Sequence, residues 1–384
     1  MTTRFPERNL MFAMHSEKSV DMLAVFKAVL VLTVGTISGT RAVAQGCIAS
    51  RGTGLMACPM GAHHSMDELQ EPASSFEASV SYRWLHSDRM FSYDVEQTKR
   101  EAEGSQEIND SNFIDFGVRY NINPRYSVSF TLPYSVQSRS EVVRRLNLAR
   151  TILGRFETHS SGIGDLRLEG NAWLLDPVKY MHGNVQLGIG VSAPSGERDA
   201  QDLFAVPIGT TSKIGHVNRA VDQSIQLGNG GWGMILDLYA YRQIVPRLNA
   251  FVNGYYTITP EEKYTPTNRP EGDYSIADSY LGRAGLEWVA WPKHSMTFSV
   301  AGRVEGVPVH DLVGGSDGFR RPGYAISIEP GVSASYHSWT LSMNAPVALY
   351  RNREQSISEQ AAGLAPTAAG FADFVILCSL SKKF

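Results

Sequence analysis

Residues 112–136 read NFIDFGVRYNINPRYSVSFTLPYSV, two alternating runs around a tight turn. In the first run Ile114, Phe116, Val118, Tyr120 and Ile122 share one parity, with Asp115, Gly117, Arg119 and Asn121 on the other. After Asn123-Pro124-Arg125, Tyr126, Val128, Phe130, Leu132 and Tyr134 are set against Ser127, Ser129, Thr131 and Ser135. Successive side chains of a strand point to opposite faces, so the pattern predicts a hairpin with one apolar and one polar face. A soluble sandwich would also alternate. Here the apolar face begins and ends in tyrosines, whose amphipathic rings suit the two boundaries of a bilayer.

A sheet in lipid must close on itself to pair every backbone group, so the rest of the chain has to repeat this hairpin. Strand one is expected over Phe76–Trp84, ahead of a polar segment from His86 to Ser111. A second polar stretch, rich in arginine (Arg139, Arg144, Arg145, Arg150, Arg155), follows Val136. Further alternating runs cover Leu166–Leu174 and Val185–Val191, joined by the short connection Asp176–Gly183. The longest connection, Pro194–Gly231, comes next. The second half contributes Met234–Tyr241, Leu248–Ile258, Tyr280–Trp288, Met296–Val307, Tyr324–Tyr336, Trp339–Leu349 and Phe371–Phe384. That makes twelve strands, with five short turns alternating with six longer connections. The fold class predicted is all-β: a membrane-spanning antiparallel up-and-down β-barrel of about 12 strands, with short periplasmic turns and long external loops. Pro330 and Pro346 each remove a ladder donor, and a bulge or break is expected at each.

The chain ends on Phe384, with Phe374, Ile376, Cys378 and Leu380 on the same parity. This resembles the C-terminal signature by which outer-membrane barrels are recognised for assembly, except for Lys382, where an aromatic is usual. The assembly machinery is thus an expected partner through Phe384, beside outer-membrane lipid and a small-molecule solute. At the other end, Lys27, the apolar core Ala28–Val34 and the small-residue site Ala42-Val43-Ala44 read as an export signal. Residues 1–44 are assigned to that signal, with translation starting at Met1, Met14 or Met22. Residues 45–74 form a periplasmic N-terminal segment or plug, and 75–384 the barrel. The expected location is the bacterial outer membrane.

Composition narrows the class further. A net charge of −3 over 384 residues argues against a nucleic-acid surface. Three cysteines are too few for a disulfide-stapled scaffold, although export to an oxidising compartment lets Cys47 and Cys58 pair. Met56, Cys58, Met60, His63, His64 and Met66 are soft ligands at high density. No recognised ligand spacing accompanies them, so Cys58, His63 and His64 remain metal candidates beside the simpler reading of a disulfide-closed lead-in.

With the apolar parity toward lipid, the opposite parity faces the lumen. It carries Arg83, Asp115, Arg119, Arg167, Glu169, Asp237, Tyr239, Arg283, Glu287, Arg303, Glu305 and Glu329, together with Glu77 and Asp373. Acids and arginines are mixed, so they can be a structural ladder or the wall of a polar constriction. Trp173, Tyr241, Phe251 and Tyr255 fall on the same parity and suit an apolar or amphipathic solute, or fill space. Enzyme readings fail on geometry: His337-Ser338 and His86-Ser87 are adjacent, so on a strand they point apart. There is no His-Glu-x-x-His motif and no Gly-x-x-x-x-Gly-Lys-Ser/Thr nucleotide loop, and neither catalysis nor a cofactor is expected.

Three motifs carry a family likeness: Gly162–Leu168 (GIGDLRL), Leu187–Glu197 (LGIGVSAPSGE) and Val221–Gly233 (VDQSIQLGNGGWG). Together they resemble the outer-membrane transporters grouped as the "MetA-pathway of phenol degradation" family. The likeness is specific over about Gly162–Tyr241 and departs at Ala193 and Ser195, where the family reads Pro-Thr-Gly. It implies a barrel that passes hydrophobic or aromatic compounds and supplies no catalytic residues. Asp222 and Asn229 can hydrogen-bond the backbone of a folded-in loop, so Pro194–Gly231 is expected to fold partly into or over the external mouth. The expected function is passive uptake of small solutes through an outer-membrane channel. The alternatives are a nucleoside- or sugar-type polar-solute channel and a closed structural or metal-handling barrel. Whether one or several copies assemble is left open by the sequence.

Overall fold

A computed structural model describes residues 74–146, 150–292 and 295–384. Twelve wall strands follow in chain order: β1 (Ser75–Ser87), β2 (Ile108–Asn121), β3 (Tyr126–Arg144), β4 in two segments (Ile152–Ile163 and Leu166–Trp173), β5 (Gly183–Ala193) and β6 (Gly233–Val245). The second half adds β7 (Leu248–Ile258), β8 (Ser279–Trp291), β9 (Met296–Val307), β10 (Gly323–Tyr336), β11 in two segments (Trp339–Asn344 and Val347–Arg353) and β12 (Val375–Lys383). Each strand pairs antiparallel with its sequence neighbours, and β12 pairs with β1 over Glu77↔Lys383 to Leu85↔Val375. The sheet is closed. No edge strand remains in the wall, which is the condition for leaving a β-sheet in hydrocarbon. Among the described residues no helix is long and apolar enough to cross a membrane.

Burial follows the sequence parity with the sign expected of a membrane wall. In the β2–β3 hairpin, Phe116, Val118, Val128 and Phe130 are exposed, whereas Asp115, Ser129 and Thr131 are 2–5% exposed. Val118 faces Phe130 and Phe116 faces Leu132 across the ladder, so the apolar pairs all lie on the outer surface. A soluble sandwich would bury these residues and expose the polar ones; the inversion distinguishes the two.

Two rows of aromatics bound the apolar band. Near the short turns stand Phe76, Tyr120, Tyr126, Trp288, Tyr336, Trp339 and Phe384, and near the long loops Tyr82, Tyr134, Trp232 and Tyr350, all exposed. Tyr256 and Tyr280 stack in the second row with ring centroids 6.4 Å apart. From Tyr126 to Tyr134 the strand rises roughly 27 Å at ~3.3 Å per residue, or about 20 Å along the barrel axis after a tilt of ~40°. That is close to the height of a hydrocarbon core as outer-membrane barrels meet it.

Several boundaries differ from the sequence reading. The arginine-rich stretch after Val136 is not a loop. It continues β3 to Arg144 and returns as the first segment of β4, in register from Tyr134↔Ile163 to Val142↔Arg155. Outside the apolar band both faces of this ribbon are polar, so period-two hydrophobicity vanishes although the strands persist. Phe371 lies outside the last wall strand, in a small sheet of Arg89–Ser92, Val95–Glu96 and Ala369–Phe371 at the long-loop end.

The prolines act as a pair. β11 breaks at Ala345-Pro346, as expected, but β10 runs through Pro330 without interruption. Ala345 N donates to Pro330 O at 3.0 Å, so the break in the neighbour accommodates both missing donors at one level. The expectations for residues 1–73, including the leader, the plug and the ligands Cys47, Cys58, His63 and His64, fall outside the described residues, as do Lys293 and His294.

Candidate functional site

Alternation sends every second side chain of the wall into the barrel, and the interior is stratified by chemistry. Arg83, Asp115, Arg167, Arg283, Arg303, Glu305 and Glu329 are buried, and Arg119, Glu169 and Asp237 are half-buried. The centre of this charged layer is Glu329 on β10. Its carboxylate accepts from Arg283 Nη1 at 2.8 Å, Arg303 Nη1 at 3.0 Å and Asn344 Nδ2 at 2.7 Å. Arg303 Nη2 also donates to Glu305 Oε2 at 2.9 Å, and Arg283 Nε to Asn253 Oδ1 at 3.0 Å. Five consecutive strands, β7 to β11, are thereby tied along the inner wall by one hydrogen-bonded chain. Buried charges of this kind are tolerated because each is paired and forked. Asp373 is not part of it: the residue sits in the loop before β12, where it accepts from Arg89 Nη1 at 2.7 Å and from Arg351.

Toward the short turns lies an aromatic layer. Trp173 meets Tyr239 at 5.8 Å and Tyr241 at 5.9 Å, both edge-on, and Tyr239 stacks on Tyr241 at 6.0 Å. Phe251 and Ala301 complete the cluster. Glu287 faces the same side of β8 and is 2% exposed.

Toward the long loops the lumen is roofed by the connection between β5 and β6. Gln201–Pro207 and Ile214–Ala220 form a hairpin, after which the chain turns inward. Val221 and Ile225 are fully buried there. Ile225 O accepts from Gln137 Nε2 at 3.4 Å and from Ser160 Oγ on the wall. From the opposite side Gln223 Nε2 donates to Ser275 O at 2.8 Å. The loop therefore spans the mouth.

Asp222 is its anchor. Arg321 donates to both carboxylate oxygens at 2.8 and 2.9 Å, Ser224 N caps Oδ1 at 2.9 Å, and Arg269 and Arg139 stand at 3.6 and 3.8 Å. Burial alone would raise this carboxyl, but the Arg139 and Arg321 guanidiniums outweigh it and hold the group well below the usual carboxylate range. Sequence reasoning gave Asp222 its backbone cap but missed Arg139, Arg269 and Arg321. They lie 83, 47 and 99 residues away, beyond any local pattern, and the motif around Asp222 was the only available signal.

A second anchor is Asp165, in the gap between the two segments of β4. It accepts from Gly196 N at 3.0 Å and Asn229 N at 2.6 Å, pinning both ends of the roof. Gly228 packs so tightly against the backbone of Gly196 that a Cβ there would strike it, which accounts for glycine in this part of the motif.

Between roof and charged layer lies a cavity of about 70 Å³, lined by Arg83, Arg167 and Tyr255 from the wall and Leu227 and Asn229 from the loop. It has room for waters. It is about half the volume of the ~150 Å³ engineered cavity that accepts benzene, so a ring-sized solute cannot occupy it in this conformation.

No family model matches the chain, and no curated protein matches it. Among solved structures it is similar to the COG4313 outer membrane channel from Pseudomonas putida F1, with 12% identity, coverage of 82% of this chain and 97% of that one, and a TM-score of 0.52. The translocator domain of autotransporter NalP from Neisseria meningitidis aligns at 9% identity, 83% and 92% coverage and a TM-score of 0.43. A Pseudomonas aeruginosa FadL homologue aligns at 8% identity, 89% and 98% coverage and 0.41. The first supports the barrel fold, and the other two carry no argument.

Proposed function

We propose that this chain is an outer-membrane channel for passive entry of small hydrophobic or aromatic solutes, resting closed. The single observation that carries the proposal is the inside-out wall, apolar outside and polar within, enclosing a stratified interior in which an aromatic layer lies below a charged one. A barrel serving only as a surface structure has no need of a dedicated roof over a wet cavity. A channel does, because the roof sets when the lumen opens. The protein of similar fold from Pseudomonas putida F1 is described as an outer membrane channel. Passage is taken to be downhill, since no Gly-x-x-x-x-Gly-Lys-Ser/Thr nucleotide loop is present in the sequence. The charged and aromatic side chains named above are proposed to line the route.

One observation favours the rival reading of a closed structural barrel: the Glu329 carboxylate is fully paired in a network that ties neighbouring strands of the wall. Planar-bilayer recording separates them. Discrete conductance steps from the full mature chain support the channel; a silent bilayer at the same protein load overturns it. Proteoliposome swelling with benzyl alcohol against a sugar of similar size then tests the solute class, and faster swelling with the sugar would favour a polar-solute channel.

A further inference from the structure

The aromatic layer holds one group that neither the charged ladder nor the roof uses. Glu287 is 2% exposed, and among the described residues no hydrogen bond or ion pair reaches its carboxylate, whose Oε2 is buried without a partner. Arg283, the nearest inward arginine along β8, is committed to Glu329 and Asn253. The Tyr239 hydroxyl, on the inward parity of β6, is likewise buried and unpartnered. Tyr239 packs in one cluster with Trp173, Tyr241 and Phe251, and Glu287 lies two residues along β8 from Gly285, the ladder partner of Phe251.

A carboxylate withdrawn from water costs several kcal/mol unless a cation or a proton accompanies it. Aromatic faces attract cations, tryptophan most strongly. This wall already does so once, with the Arg283 guanidinium 6.0 Å from the Phe251 ring centroid. Small ring-bearing ammonium ions satisfy every open valence here: the ammonium donates to Glu287 and to the Tyr239 oxygen, and the ring lies against Trp173 and Tyr241. A bare alkali ion leaves the rings unused, and a neutral aromatic leaves the carboxylate unpaired.

We infer that Glu287 and Tyr239, with the Trp173–Tyr241–Phe251 wall, form a binding site in the lumen for small aromatic ammonium ions. This rests on the channel reading and narrows its solute class, although binding itself does not require conduction. The test is isothermal titration of the full mature chain in detergent with benzylammonium, benzyl alcohol and sodium, for the wild type, Glu287→Gln and Tyr239→Phe. Folding of each variant is checked by heat-modifiable gel migration.

The expected result is saturable benzylammonium binding that weakens at least about tenfold in Glu287→Gln and by a smaller factor in Tyr239→Phe, with benzyl alcohol unchanged by either. Equal affinity for benzylammonium and benzyl alcohol in the wild type, or for benzylammonium and sodium, overturns the inference. So does undiminished binding in a folded Glu287→Gln. Bilayer recording keeps the two readings apart. Binding without conductance refutes the channel and leaves the site, whereas conductance without benzylammonium binding does the reverse.

Discussion

Replacing Asp222 by Asn should open the roof. In the wild type this carboxylate is 1% exposed and takes two hydrogen bonds from Arg321 and one from Ser224 N. Asparagine keeps an oxygen for Ser224 but turns an NH2 toward Arg321 and removes the charge. The cost depends on what each arginine has left. Arg139 retains Glu107 and Glu141, both at 2.5 Å, and Arg269 retains Glu271 at 2.6 Å. Arg321 has no other carboxylate within an ion-pair distance among the described residues. One guanidinium is orphaned, not three, which places the loss near the low end of the range for breaking a buried pair, about 3 kcal/mol. The population of the roof-out state should then rise roughly a hundredfold, at about 1.4 kcal/mol per decade.

The assay is macroscopic and single-channel conductance in planar bilayers, comparing wild type, D222N, R321Q and the double variant. Both single variants should raise open probability to a similar extent, and the double should add little, because the two residues share one interaction. Unchanged conductance in a D222N protein that still shows heat-modifiable migration would refute the latch. Strictly additive effects would mean that the two residues act separately.

The other outcomes follow from the same geometry. Gly228→Ala places a Cβ against the Gly196 backbone and within 2.8 Å of Asp165 Oδ1, so it should open the channel as D222N does without altering any charge; a conductance equal to wild type would contradict the close approach. Glu329→Ala leaves Arg283 buried without its carboxylate and Arg303 with Glu305 alone, and should destabilise the barrel by about 3–5 kcal/mol, read as a lower urea midpoint in detergent. Val300→Arg, on the outer face at mid-height, should cost about 2–4 kcal/mol in lipid, against about 0–1 for Tyr336→Arg beside a short turn; equal costs would argue that the outer face is not in hydrocarbon.

The latch also makes a pH prediction. Asp222 lies well below its ordinary value of about 3.9, so its contribution is fully present above that value and is lost only as pH falls through its lower folded value. Open probability should be flat from pH 8 to 5 and rise only below about pH 4. A rise near neutrality would assign the gate to another group.

Legibility in the sequence tracked the solvent. Where lipid covers one face, period-two hydrophobicity is strong, and all twelve wall strands could be read from it. Where the outward face meets water and the buried inward face is itself polar, as in Gln137–Glu141 and its return, the same strands looked like loop. The contents of the interior were readable by parity, but partnerships were not. Glu329 gave no hint that Arg283, Arg303 and Asn344 converge on it, because register and tilt, not spacing along the chain, bring them together. The roof was legible as a motif, since Asp222, Asn229 and their glycines are local, while the arginines that hold Asp222 lie in other loops and strands. Pro330 was misjudged for a related reason: its missing donor is accommodated by a neighbour 15 residues later, at Ala345.

The seam between β1 and β12 sets a condition on how the molecule comes into being. Ser81 and Ser379 share a hydrogen bond across 298 residues, and Phe384 N closes the last backbone bond onto Phe76 O at 2.8 Å. Closing a loop of that length costs about 5 kcal/mol in chain entropy, and none of it is recovered until the final strand has been synthesised. Until then both β1 and the growing end present raw strand edges, the template on which β-chains aggregate. Folding is therefore late, non-local and slow by topology, and the span before closure is the period in which the chain most needs an escort.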